Sequence, residues 1–182
     1  MLQNLRVDLH RLKATRSGST WRILIEALLF ETGFQAVVLY RASHAFKKRA
    51  IPFMGPLLCR LCQWLTGVEI APATVIGPGL MISHGQGIVI GQWARIGSHC
   101  HLHQQVTLGA KDVDRIDQMP SLGDHVAIGA GAKLLGGIHI GDGAVVGPNA
   151  FLTRDVPAGG KALAPYAEIH APKGSVSSAE GA

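Results

Sequence analysis

Aliphatic residues return at every sixth position from Ile70 onward. Ile70, Ile76 and Ile82 open the series, which resumes two residues late at Ile90 and runs through Ile96, Leu102 and Leu108. After a gap, Leu122, Ile128, Leu134, Ile140, Val146 and Leu152 continue it without a missed step. Gly follows many of these positions, as at Gly77, Gly91, Gly97, Gly109, Gly123, Gly129, Gly141 and Gly147, and a small or aliphatic residue stands four places on, as at Thr74, Ala94, Val106, Ala132, Ala144 and Ala150. A period of six fits neither a helix nor a two-faced strand. It predicts a parallel β-helix in which three hexapeptides make one triangular coil, the aliphatic residue points inward and the glycine turns the corner.

Upstream, the pattern turns helical. Amphipathic helices are expected over 20–30 and 34–49, separated by Gly33 and stopped at Ile51-Pro52, with a short apolar helix over 56–65. The chain thus divides into a helical collar (1–66), a β-helix (67–158) with an extended loop at 110–121, and a C-terminal cap and flexible tail (159–182). The cap is expected over 159–169, and the small polar stretch 172–182 is expected to be disordered.

Composition changes this picture little. With 23 Gly and 5% aromatics in 182 residues, the glycine belongs to coil corners rather than to disorder. The net charge of +5 collects in the first third, at residues such as Arg11, Arg41, Lys47 and Lys48, and reads as a solvated helix face. No aromatic-rich basic stripe accompanies it, so nucleic acid is not an expected partner. The polar start argues against a signal peptide, and charged residues interrupt every apolar stretch, so the cytoplasm is the expected compartment. Trp21, Leu24 and Leu28 suit an in-plane membrane contact, but packing of the collar within an oligomer is the favoured reading. Cys59 and Cys62 form a CxxC without a second pair, which reads as one buried helix face.

Two interruptions mark where function is expected. One is the string Ser83-His84-Gly85-Gln86-Gly87-Ile88-Val89-Ile90-Gly91, which holds two extra residues. The other is the charged loop at 110–121. Together with Val68-Glu69-Ile70-Ala71-Pro72-Ala73, Gln105-Val106-Thr107-Leu108-Gly109 and Ile128-Gly129-Ala130-Gly131-Ala132-Lys133-Leu134-Leu135-Gly136, these strings resemble the serine acetyltransferase family of hexapeptide-repeat acyltransferases, over roughly 33–169. They are also close to short forms found with exopolysaccharide biosynthesis. The resemblance implies a left-handed β-helix, mainly β, with an N-terminal α-helical collar. It also implies acetyl transfer from acetyl-CoA to a hydroxyl, in a homotrimer whose active sites lie between subunits.

An alcohol attacking a thioester must lose its proton as the C–O bond forms, and a neutral imidazole suits that task. His84 is the expected base. Glu69 stands where the family carries an acidic partner, one methylene longer than the usual Asp, and is expected to orient the imidazole. No acyl-enzyme nucleophile is evident, so direct attack is expected. CoA is expected along Gly109, Ala110, Gly129, Ala130 and Ala132, with Lys133 and Lys161 meeting its phosphates, although Glu168 occupies a position usually basic in the family. His99, His101 and His103 alternate around an inward Leu102, so no metal site is expected, while His103 is a candidate for the acceptor pocket.

The acceptor side departs from the family. Ser83 replaces its Asp, Gln118-Met119 replace its loop Arg-His pair, and the chain ends Glu180-Gly181-Ala182 without its usual Ile. The expected acceptor is therefore a sugar or exopolysaccharide-type hydroxyl held by Ser83, His103, Arg115, Gln118 and Met119. Serine itself, with Arg115 taking its carboxylate, is the alternative, and a non-catalytic scaffold the third reading.

Overall fold

The computed structural model describes residues 2–166 and 168. Four helices precede the coils: α1 (Leu2–Ala14), α2 (Thr20–Phe30), α3 (Thr32–Lys48) and α4 (Met54–Thr66). The first has no counterpart among the expected helices, although Leu2, Leu5, Leu9 and Leu12 recur at its three- and four-residue spacing. Gly33 lies inside α3 rather than between helices, and Glu31 alone separates α2 from α3.

Five coils follow. The first carries β1 (Glu69–Ile70), β2 (Val75–Ile76) and β3 (Met81–Ser83), and the second β4 (Val89–Ile90), β5 (Arg95–Ile96) and β6 (His101–His103). The third has β7 (Thr107–Gly109), β8 (Ser121–Leu122) and β9 (Ala127–Ile128), and the fourth β10 (Lys133–Leu135), β11 (His139–Ile140) and β12 (Val145–Val146). The last holds β13 (Phe151–Leu152) and β14 (Lys161–Ala162), with Val156 bridging to Ile140 in the gap. Every pairing is parallel, and the strands stack into three sheets: β1-β4-β7-β10-β13, β2-β5-β8-β11 and β3-β6-β9-β12-β14. This is the left-handed hexapeptide β-helix with its helical collar.

The inward positions read from the sequence form one continuous core. Ile70, Ile90, Leu108 and Leu134 stack under the first sheet, and Ile82, Leu102, Ile128 and Val146 under the third, all buried. Each such side chain removed from water contributes on the order of 1.5–3 kcal/mol. The glycines that follow do not serve the corner conformation. A Cβ on Gly77 would stand 2.7 Å from the carbonyl carbon of Gly97, and one on Gly129 2.6 Å from Pro148 N, so these glycines allow adjacent coils to approach. The left-handed corner residues lie further along and include non-glycines, among them His99 and His125, whose rings stack 5.2 Å apart.

A buried polar network fastens the collar to the first coil. Arg41, expected on a solvated face, is instead 5% exposed and paired with a fully buried Asp8. Arg41 Nε donates to Asp8 Oδ2 at 3.0 Å, and its other nitrogens donate to the carbonyls of Ile76 and Gly77 at 2.7 and 2.6 Å. Asp8 Oδ1 also accepts the backbone N–H of Gly79 and of Leu80. Arg11 reaches the same corner and donates to Cys100 O at 2.7 Å. Every partner of the ion pair is satisfied, which is the condition for burying it. Cys59 and Cys62 are both free thiols facing inward from α4, and burial pushes both thiols up.

Outward, the collar is apolar. Trp21, Phe30, Phe53, Leu57, Trp64 and Leu65 are all exposed on α2, α4 and the turn before α4. Among the described residues no single helix is long and apolar enough to cross a membrane. The expected cap contributes β14, which pairs with β12; Ile169 and the tail 172–182 lie outside the described residues.

Candidate active site

Register shows what the two extra residues do. Ser83 aligns with His103 and Val89 with Thr107, so the first coil spends two more residues than the second in passing from the third sheet to the first. His84 takes up the extra length with φ +55°, a left-handed conformation that costs a residue bearing a Cβ about 1 kcal/mol or more. The following Gly85 is required because a Cβ there would lie 2.7 Å from Val68 Cγ2. The same left-handed conformation recurs at His99, Gln105, His125 and Asn149, so what sets His84 apart is its place in the interruption of the repeat.

His84 and Ser83 line a cavity of about 420 Å³ between this corner and the collar. Its other walls come from Leu12 of α1, Thr15 and Arg16 of the link after it, the α2–α3 junction at Phe30, Glu31, Thr32 and Gly33, and Met81 and Ile82 of β3. Arg16 and Glu31 form an ion pair within it.

Ser83 does not stand free in this cavity: its Oγ is 2.8 Å from His101 Nε2. The ring of His101 lies 4.4 Å from that of His103, whose Nδ1 is 3.1 Å from the Ile128 carbonyl. Burial, then His103, then Arg11 push His101 down to about 4. A ring held neutral in this way accepts from the Ser83 hydroxyl or donates to its oxygen at Nε2, according to its tautomer. Among the described residues no three His, Cys, Asp or Glu groups converge as metal ligands.

Glu69 sits on β1, and its Oε2 accepts Gln63 Nε2 at 2.9 Å. Among the described residues no hydrogen bond joins it to His84, so the expected dyad is not assembled in this chain.

The remaining expected residues divide between two edges of the first sheet. Gly129 and Ala130 lie at the edge that carries His84, where Lys133 Nζ donates to Gln105 O. Among the described residues Gln104 Oε1, at the same edge, is buried without a partner. Gly109 and Ala110 lie at the opposite edge, where the loop departs. There Arg115 and Gln118 line a separate cavity with Lys111, Arg154 and Asp155, while Met119 packs against the core. Within one chain, therefore, Arg115, Gln118 and Met119 do not meet Ser83 and His84. Ala132 is fully buried and points into the core, so its side chain is not a groove wall. Lys161 is exposed on β14, in the third sheet, away from Lys133 in the first.

Comparison with known proteins agrees with this fold. The family described as bacterial transferase hexapeptide (six repeats) matches residues 119–154. The chain is 41% identical over 138 residues to a protein of Helicobacter pylori named serine acetyltransferase, covering 76% of this chain and 81% of that one. It is 40% identical over 154 residues to the serine acetyltransferase of Synechococcus elongatus, covering 85% of this chain but only 61% of that protein's length. Among solved structures, the soybean serine acetyltransferase complexed with serine superposes with a TM-score of 0.79 at 32% identity, over 90% of this chain and 66% of that one.

Proposed function

The chain belongs to the serine acetyltransferase family of hexapeptide-repeat acyltransferases, and on that premise we propose that it transfers acetyl from acetyl-CoA to the hydroxyl of serine. The observation that carries the reading is His84, which stands in the corner lengthened by two residues and opens into a cavity of small-molecule size.

In this mechanism the neutral His84 imidazole takes the hydroxyl proton as the oxygen bonds to the thioester carbonyl. The tetrahedral intermediate collapses by breaking the C–S bond, and the imidazolium returns its proton to the departing thiolate. CoA lies along the His84 edge, where the Ala130 corner is small and Lys133 faces a phosphate.

Two features support a trimer with shared sites. The candidate residues occupy opposite edges of one sheet, and only a neighbouring copy brings the loop edge of one chain against the His84 edge of the next. The collar also exposes apolar residues, including Trp64 and Phe53, that a second chain would cover. Light scattering is expected to give a trimeric mass; an active monomer would refute the shared site.

The sugar hydroxyl expected from Ser83, Gln118 and Met119 gives way to serine because the relatives are named for serine. Thiol release from acetyl-CoA, measured with serine and with a panel of sugars, tests the choice. Release that depends on serine is expected. Release with sugars alone would restore the glycan reading, and none with any acceptor would leave a scaffold.

A further inference from the structure

Building on the assignment of His84 as base and serine as acceptor, we propose that Arg16 and Glu31 are the charge clamp of the acceptor site, Glu31 receiving the ammonium and Arg16 the carboxylate of a small zwitterion. Neither residue lies in the strings that resemble the family, and Glu69 was the single carboxylate expected near the base.

Three ion pairs occur among the described residues, and they differ in what they leave available. Asp8–Arg41 is buried and saturated with backbone partners. Arg22–Glu26 spans one turn on the outer face of α2, with Arg22 70% exposed. Arg16–Glu31 alone faces the cavity of His84, with side chains 32% and 31% exposed, sheltered yet reachable. Among the described residues neither side chain has another hydrogen-bond partner.

That geometry suits an exchange. A half-exposed pair contributes little to stability and parts readily. A zwitterion entering between the two groups replaces one ion pair by two, and neither the protein charges nor the substrate charges are left unpaired in the sheltered site. Leu12, Phe30, Met81 and Ile82 line the same cavity beside the charges. A neutral sugar would gain nothing from parting the pair. Both groups also lie at helix junctions, Arg16 in the link after α1 and Glu31 between α2 and α3, so the site is assembled by the collar and not by the coils.

The experiment is steady-state kinetics with serine, ethanolamine (no carboxylate) and 3-hydroxypropionate (no ammonium). Glu31→Gln is expected to raise KM for serine and ethanolamine about ten-fold or more, leaving kcat within a few-fold and 3-hydroxypropionate unaffected. Arg16→Gln should mirror this, hurting serine and 3-hydroxypropionate but not ethanolamine, and Arg16→Lys should recover much of the loss. KM for acetyl-CoA should stay constant throughout. Equal losses on all three acceptors, as from a pair that merely ties the link to α3, would overturn the clamp. So would unchanged serine KM in both variants of an enzyme that turns over serine; that result would leave the serine reading standing. A wild-type enzyme inert to serine would overturn both. Thermal melting of each variant separates a folding defect, and Arg16→Lys keeps the test open if Arg16→Gln fails to fold.

Discussion

Gly33→Ala is the smallest change that should reach the chemistry without touching it. Gly33 is buried in the first turn of α3, against β3. A Cβ built there falls inside contact distance of the Ile82 carbonyl oxygen, 2.9 Å from the carbonyl carbon and 3.2 Å from Ile82 Cβ. The obstacle is the backbone of the strand that leads into Ser83 and His84, so no side chain can swing away. Restoring ordinary contact requires α3 to retreat by roughly 1 Å. Overpacking of this kind costs about 1–3 kcal/mol. Alanine's helix propensity returns less than ~1 kcal/mol of that, the site being in the first turn. The net loss of about 1–2 kcal/mol predicts a melting temperature lower by roughly 2–8 °C. The cavity wall moves with the helix, and a displacement near 1 Å is worth on the order of 10² in kcat/KM. Gly143→Ala is the control. It is strained by φ +66°, meets nothing within 4 Å and lies three coils away, so it should lose comparable stability and no activity. Thiol-release kinetics beside calorimetry decide the matter. A Gly33→Ala enzyme with normal kcat/KM, or one no worse than Gly143→Ala, would refute the coupling of α3 to the site.

Other expectations concern single side chains. His84→Ala should lower turnover about 10²- to 10⁴-fold with acetyl-CoA binding nearly intact by calorimetry, and near-normal turnover removes the base assignment. Asp8→Asn leaves Arg41 buried without its counter-charge and should destabilise by about 3 kcal/mol or more in denaturant titration; a loss under ~1 kcal/mol would show that the network is not coupled to folding. His101 is held at about 4 in the fold against an ordinary 6.5, so between those values the unfolded chain binds more protons and stability falls as pH falls. His101→Gln should flatten the pH dependence of melting in that window, and an unchanged slope would assign it to other groups.

The core was legible because its signal is local and repeated. Ile90, Leu108 and Leu134 each declare an inward position, and stacking does the rest. What bound the collar was not legible, because Asp8 meets the backbone of Gly79 across 71 residues and no local pattern marks an acid for burial. Basic residues likewise read as a surface, although Arg41 spends its donors on two carbonyls and Asp8. The extra length around His84 was visible as an interruption of the period. Its companions were not, since Arg16 and Glu31 reach the cavity only through the turns between helices. The loop residues Arg115 and Gln118 were correctly marked as a departure from the repeat, but their edge of the sheet follows from three-sided geometry that a linear pattern does not reveal.

The fastening of Asp8, Arg11 and Arg41 onto the first coil gives the molecule a polarity in how it comes apart. Coils in such a stack hold only to the ones above and below, so opening spreads from an end rather than throughout. One end is sealed by a collar that satisfies the backbone of Ile76, Gly77, Gly79 and Leu80. Among the described residues the other ends in β13 and β14, each paired on one side only. Fraying therefore begins far from His84 and must travel the length of the stack before it reaches the corner where the proton is taken, so partial melting should outpace loss of the site.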